Sequence, residues 1–166
     1  MFSYTRVRKT VGMAVALIAI LTATAFAATD LNQTRESYAA AVEPICKKNT
    51  KANEQILAGV RKKIQQGKLS VAAGKFAKAS SAFGGAVKQL RAVPQPPADA
   101  AKLNTWLTKL DKVTKLLSEM SKALKNDQKS KAQRLSVQLT PASNAANNQV
   151  LGFGFDYCLI DPSRFS

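Results

Sequence analysis

The stretch LNTWLTKLDKVTKLLSEMSKAL, Leu103 to Leu124, spaces its apolar residues by four and three: Trp106, Leu110, Val113, Leu117, Met120 and Leu124. Side chains at that spacing share one face of an α-helix, whereas a half-buried strand needs a period of two. Leu103, Leu107 and Leu116 widen the stripe into a core-facing surface, and lysines occupy the other side. The spacing therefore predicts a long amphipathic helix. Asp99, which follows Pro97 and precedes the run, is expected to be its N-cap.

The same period extends outward in both directions. Upstream, Leu69, Phe76, Phe83 and Leu90 recur every seven residues, with Ala72 or Ala73, Ala79 or Ser80, and Ala86 or Val87 between them. This helix starts after Gly67 and ends before PQPP. Gly84 and Gly85 lie inside it and are read as a site of close helix packing, since glycine weakens a helix by up to ~1 kcal/mol and needs a reason to be there. A less regular stripe covers residues 34–66: Tyr38, Val42, Ile45, Ala52, Ile56, Val60 and Ile64, with Asn49 on the same seam and Pro44 interrupting it. A fourth combines Leu135, Leu139, Ala142, Ala146, Val150 and Phe153, with Pro141 inside. Each proline is expected to kink or divide its helix, which then continues. Four such helices joined by GKL, PQPPA and KNDQ are expected to form an all-α, antiparallel up-down-up-down four-helix bundle.

The N-terminus reads differently. Arg6, Arg8 and Lys9 precede the apolar run Val11–Leu21, and Ala25-Phe26-Ala27 then offers small residues before a cut near Ala28. That order is a secretory signal peptide, with the run weakening to Thr and Ala where an uncleaved membrane anchor would stay apolar. The expected organisation is a signal peptide over 1–27, a flexible N-terminus over 28–33, a helical-bundle domain over 34–160 and a tail over 161–166. Cleavage removes three cations and lowers the formal charge from +15 to +12. The mature chain is expected to be secreted or extracytoplasmic.

Cys46 and Cys158 are the two cysteines. In an oxidising compartment two cysteines favour one disulfide over a redox or metal role. In an up-down bundle Cys46, early in the first helix, and Cys158, just past the fourth, come to the same end. Phe153, Phe155 and Tyr157 are then expected to seal the core there, the rival reading being an aromatic ligand cage.

An early Y…ICKK helix, the LRAVPQPP turn followed by WL, and the closing N…LGFGF…C together resemble the small exported Cys-pair helical proteins of actinobacterial type. The resemblance spans Tyr38 to Cys158. It implies a helical fold and carries no assigned reaction, cofactor or catalytic residue. The chain departs from such proteins in being rich in lysine where they are often acidic.

Chemistry is narrowed mainly by what the sequence lacks. With no histidine, Ser/His/Asp and Cys/His catalysis, histidine-ligated zinc and the CxxCH haem attachment are excluded. The ten carboxylates are scattered. Glu43, Glu54, Asp111 and Glu119 lie beside lysines and read as surface pairs, and Asp156 and Asp161 as helix-end and turn residues. No cofactor and no enzymatic activity are expected. The positive signal is charge: Lys109, Lys112, Lys115, Lys122, Lys125, Lys129, Lys131 and Arg134 follow one another from the third helix into the fourth, and form a candidate anion-binding set. Aromatic residues do not interleave with them, so specific nucleic-acid recognition is not expected. Two readings follow: a non-enzymatic exported bundle with a structural or interaction role, or a cationic binding protein for an anionic envelope polymer, membrane surface or nucleic acid.

Overall fold

The computed structural model describes residues 34–165, and among these every regular element is helical. The helices are α1 (Arg35–Leu57), α2 (Val60–Gln65), α3 (Leu69–Ala92), α4 (Ala100–Lys125) and α5 (Lys129–Asn147), with 3-10 turns at Pro97–Asp99 and Pro162–Phe165. The expected signal peptide and flexible N-terminus lie outside the described residues.

The stripe of α4 is the backbone of the core. Leu103, Trp106, Leu107, Leu110, Val113, Leu116, Leu117, Met120 and Leu124 are all buried. α4 packs against both α3 and α5, and α1 packs against α3. Ser80 Oγ donates to the Thr114 carbonyl at 3.0 Å and Ser121 Oγ to the Ala73 carbonyl at 2.8 Å, so residue numbers rise along α3 as they fall along α4. Gly84 sits at this contact: a Cβ there would lie 3.2 Å from Thr114 Cγ2, the close approach that the glycine pair suggested. Gly85 has no such neighbour.

α1 departs from the sequence reading in two ways. Its break falls at Gly59, not at Pro44: Gly59 takes φ +68, a left-handed conformation that costs glycine little, and separates α1 from α2. Pro44 and Pro141 stay inside α1 and α5. Both are exposed, as are Ala40 and Val137 four residues before them, so the carbonyls that lose a helical bond lie on the solvent side. The buried face is also rotated from the expected one. Tyr38, Val42, Cys46, Asn53 and Leu57 are buried, whereas Ile45, Ala52 and Ile56 are half-buried. Asn49 and Asn53 make this seam tolerable by pairing, Asn53 Nδ2 donating to Asn49 Oδ1 at 2.7 Å.

α5 ends at Asn147, so Val150 and Phe153 are buried from the segment that follows and not from a helix. That segment turns back between α1 and α5. Asn147 holds it with both halves of its amide, donating to the Ile160 carbonyl and accepting from the Ile160 N–H, each at 2.9 Å. Thr50 Oγ1 reaches the Tyr157 carbonyl at 3.4 Å, and Arg164 pairs with Glu54 at 3.6 Å, so residues past 160 also lie along α1.

Candidate functional site

Cys46 and Cys158 are joined, closing a loop over 112 positions. Around them the carboxylate of Glu43 accepts the backbone N–H groups of Asp156, Tyr157 and Cys158 at 3.0–3.3 Å. Glu43 therefore does not serve as a surface partner for lysine; it is the anchor of three successive amides, a role with no signature in the sequence around it. Phe155 lies 5.6 Å from Trp106, 5.4 Å from Phe153 and 6.5 Å from Tyr38, centroid to centroid, and closes the core as expected. Burial pushes the Tyr38 phenol up to about 12.

Asp99 also has another function than the one its position suggests. It stands at the N-cap of α4, but its side chain makes no cap bond. Both of its oxygens accept from Arg35, Nε and Nη2 each at 2.6 Å. The Arg35 hydrogen bond holds the Asp99 carboxyl below its ordinary range and raises the Arg35 guanidinium. Arg35 lies at the same time over the Phe153 ring, 5.0 Å from its centroid, and so connects α1, α4 and the C-terminal segment. The N-cap of α1 is Thr34, whose Oγ1 accepts from the Ser37 N–H at 3.2 Å while Ser37 Oγ accepts from the Thr34 N–H at 3.0 Å.

The candidate anion-binding residues are divided by the structure. Lys109 is half-buried, and Lys112 and Lys115 are exposed along the middle of α4, where Lys115 pairs with Glu119 at 3.8 Å. Lys122 lies thirteen residues beyond Lys109, about 20 Å along a helix. Lys122, Lys125, Lys129, Lys131 and Arg134 are brought together by the 126–128 turn, are all exposed, and make no ion pair among the described residues. Asp127, the one carboxylate from 120 to 140, takes φ +55 in that turn, a conformation Asp tolerates better than most residues.

Four further cations belong to the same end. Arg61, Lys62 and Lys63 lie on α2 and Lys68 before α3, which begins opposite the end of α4; Arg61 and Ile64 share a groove with Phe76, Met120 of α4 and Leu139 of α5. The sequence contains no carboxylate between Glu54 and Asp99. One end of the molecule thus carries nine cationic side chains and Asp127, whereas near the disulfide Glu36, Glu43, Asp99 and Asp156 are interspersed with Arg35, Lys47, Lys48, Lys51 and Lys102.

Among the described residues there is no group of three or more Cys, Asp or Glu side chains able to hold a metal ion, and no helix long and apolar enough to cross a membrane. The fold and site define a disulfide-locked all-helical protein with an excess of positive charge at one end. Comparison with protein-family models, curated proteins and solved structures gives no match.

Proposed function

We propose that this is a non-enzymatic exported helical-bundle protein that works by interaction outside the cytoplasm, its cationic end engaging an anionic envelope polymer or membrane surface. The observation that carries this reading is the grouping of nine cations with one carboxylate at one end of the fold. Converging like charges raise the local potential above that of isolated lysines, and this attracts polyanions. An even scatter of the lysines would have removed the motive. The aromatic side chains near the disulfide are distant from these cations, which disfavours base stacking and specific nucleic-acid recognition.

Export through a cleaved signal peptide over 1–27 is part of the same proposal, and the Cys46–Cys158 bond is consistent with an oxidising compartment. So is the antiparallel up-down-up-down order, which the Ser80–Thr114 and Ser121–Ala73 pairings support for α3 and α4.

The test is binding of the oxidised mature protein to polyphosphate and to vesicles containing phosphatidylglycerol, over a range of salt. Affinity should fall steeply with salt as contacts release counterions. Substituting Lys122, Lys125 and Lys129 together with Gln should flatten that dependence. Binding that is insensitive both to salt and to these substitutions would refute the role of the cationic end.

A further inference from the structure

Beside the cationic end, a groove of about 500 Å³ opens in the flank of the bundle. Val60 and Ile64 form one wall, Leu139 the other, and Phe76 and Met120 lie beneath. Pro162 and Ser163 of the C-terminal segment close it on the disulfide side. Arg61 is the one charged side chain of the lining, and no carboxylate faces the groove.

We infer that this groove binds a single alkyl chain of an anionic amphiphile, with the headgroup beside Arg61. Its volume is in the range of small-molecule sites, roughly 300–1,000 Å³, which characteristically combine apolar walls with a few placed polar groups. The sign of the headgroup follows from charge complementarity: Arg61 is exposed at the edge, with Lys62 and Lys63 next to it on α2. A carboxylate or phosphate there gains an ionic partner, whereas a cationic headgroup would be repelled. Gln65, Ser136 and Thr140 supply neutral polar contacts along the same opening.

This inference deepens the interaction reading, on which the attraction of the headgroup rests; enclosure of the tail stands on the groove alone. The probe is a dansylated undecanoic acid, kept below its micellar concentration and titrated with the oxidised mature protein. A blue-shifted, saturating emission at one probe per chain is expected, reversed by palmitate and unaffected by inorganic phosphate.

Leu139→Trp fills the groove from a half-buried position and should weaken probe binding by about tenfold or more, because the larger ring takes the space the alkyl chain would occupy. Arg61→Gln, an exposed change that leaves the walls intact, should weaken binding of the acid several-fold and leave binding of an uncharged alcohol of equal chain length unchanged. Circular dichroism checks that both variants are folded. The combined Lys122→Gln, Lys125→Gln and Lys129→Gln change should spare probe binding while reducing attachment to anionic vesicles, which separates failure of the surface reading from failure of this one. Absence of saturable uptake overturns the inference, as does parental affinity in folded Leu139→Trp and Arg61→Gln variants. Dimerisation without probe uptake would assign the groove to a second copy of the chain and overturn it equally.

Discussion

The two ends of this molecule are built on opposite terms. Near the disulfide, three polar side chains tie separate parts of the chain together: Glu43 takes three amides, Asp99 takes Arg35, and Asn147 takes both backbone groups of Ile160. At the far end Lys122, Lys125, Lys129, Lys131 and Arg134 face solvent without an ion pair among the described residues. Satisfied, part-buried polar contacts hold a chain in one arrangement, whereas exposed charges contribute little to stability and much to long-range attraction. On the proposed reading, stability and recognition are therefore concentrated in different places, and a charge can change at one end without loosening the other.

The largest expected effect tests whether the disulfide end is the one that secures the fold. Removing the bond with paired Cys46→Ser and Cys158→Ser changes should lower stability by roughly 4 to 5 kcal/mol, the chain-entropy value for a loop near a hundred residues. Chemical denaturation of parent and variant measures it, and a loss below about 1 kcal/mol would remove the contrast between the ends. Leu110→Ala, beneath the disulfide on the buried stripe of α4, should cost roughly 2–5 kcal/mol. Lys112→Ala, two residues on and exposed, should stay within about 0.5 kcal/mol. Comparable losses from the two would mean that the helix phase is wrong.

A smaller effect sharpens the contrast. Glu43→Gln keeps the shape of the side chain but weakens three charge-assisted bonds, and a loss of about 1–3 kcal/mol is expected. The Arg35–Asp99 pair gives a pH signature. Because the folded-state Asp99 carboxyl is held below its ordinary value, its stabilisation is present above the unfolded value of about 3.9 and is lost as pH falls further. The melting-temperature difference between parent and Asp99→Asn should therefore be present at neutral pH and shrink below about pH 4. A difference that persists unchanged into acid would show that the ionised carboxylate is not what matters. The smallest effect belongs to the other end: replacing Lys122, Lys125 and Lys129 with Gln should leave the melting curve nearly unmoved, since exposed charge contacts contribute about 0–1 kcal/mol.

The periodic parts of the fold could be read directly. Helices α3 and α4 follow their stripes residue by residue, because a wide apolar face with a regular period leaves one way to turn inward. In α1 the same reasoning carried the helix past Pro44 but missed the break at Gly59 and misplaced the buried face. Pro44 stays within the helix because it and Ala40 face solvent, and the break falls at Gly59, which takes the left-handed conformation. The cationic set was half legible: the α4–α5 lysines are adjacent in sequence, whereas Arg61, Lys62, Lys63 and Lys68 join them only through packing. The groove had no linear signal, since its lining comes from all five helices and the C-terminal segment.

By itself, then, the sequence determined the helical class, the α3 and α4 core faces, the cysteine pair and the excess of positive charge, because each depends on local period or on composition. Tertiary structure decided the partners of Glu43 and Asp99, the course of the C-terminal segment between α1 and α5, and the gathering of the α2 cations at the end that holds the α4–α5 turn. Those depend on which residues meet across separations of 64 to 115 positions, and such meetings are fixed by the packing of whole helices rather than by any neighbouring residue.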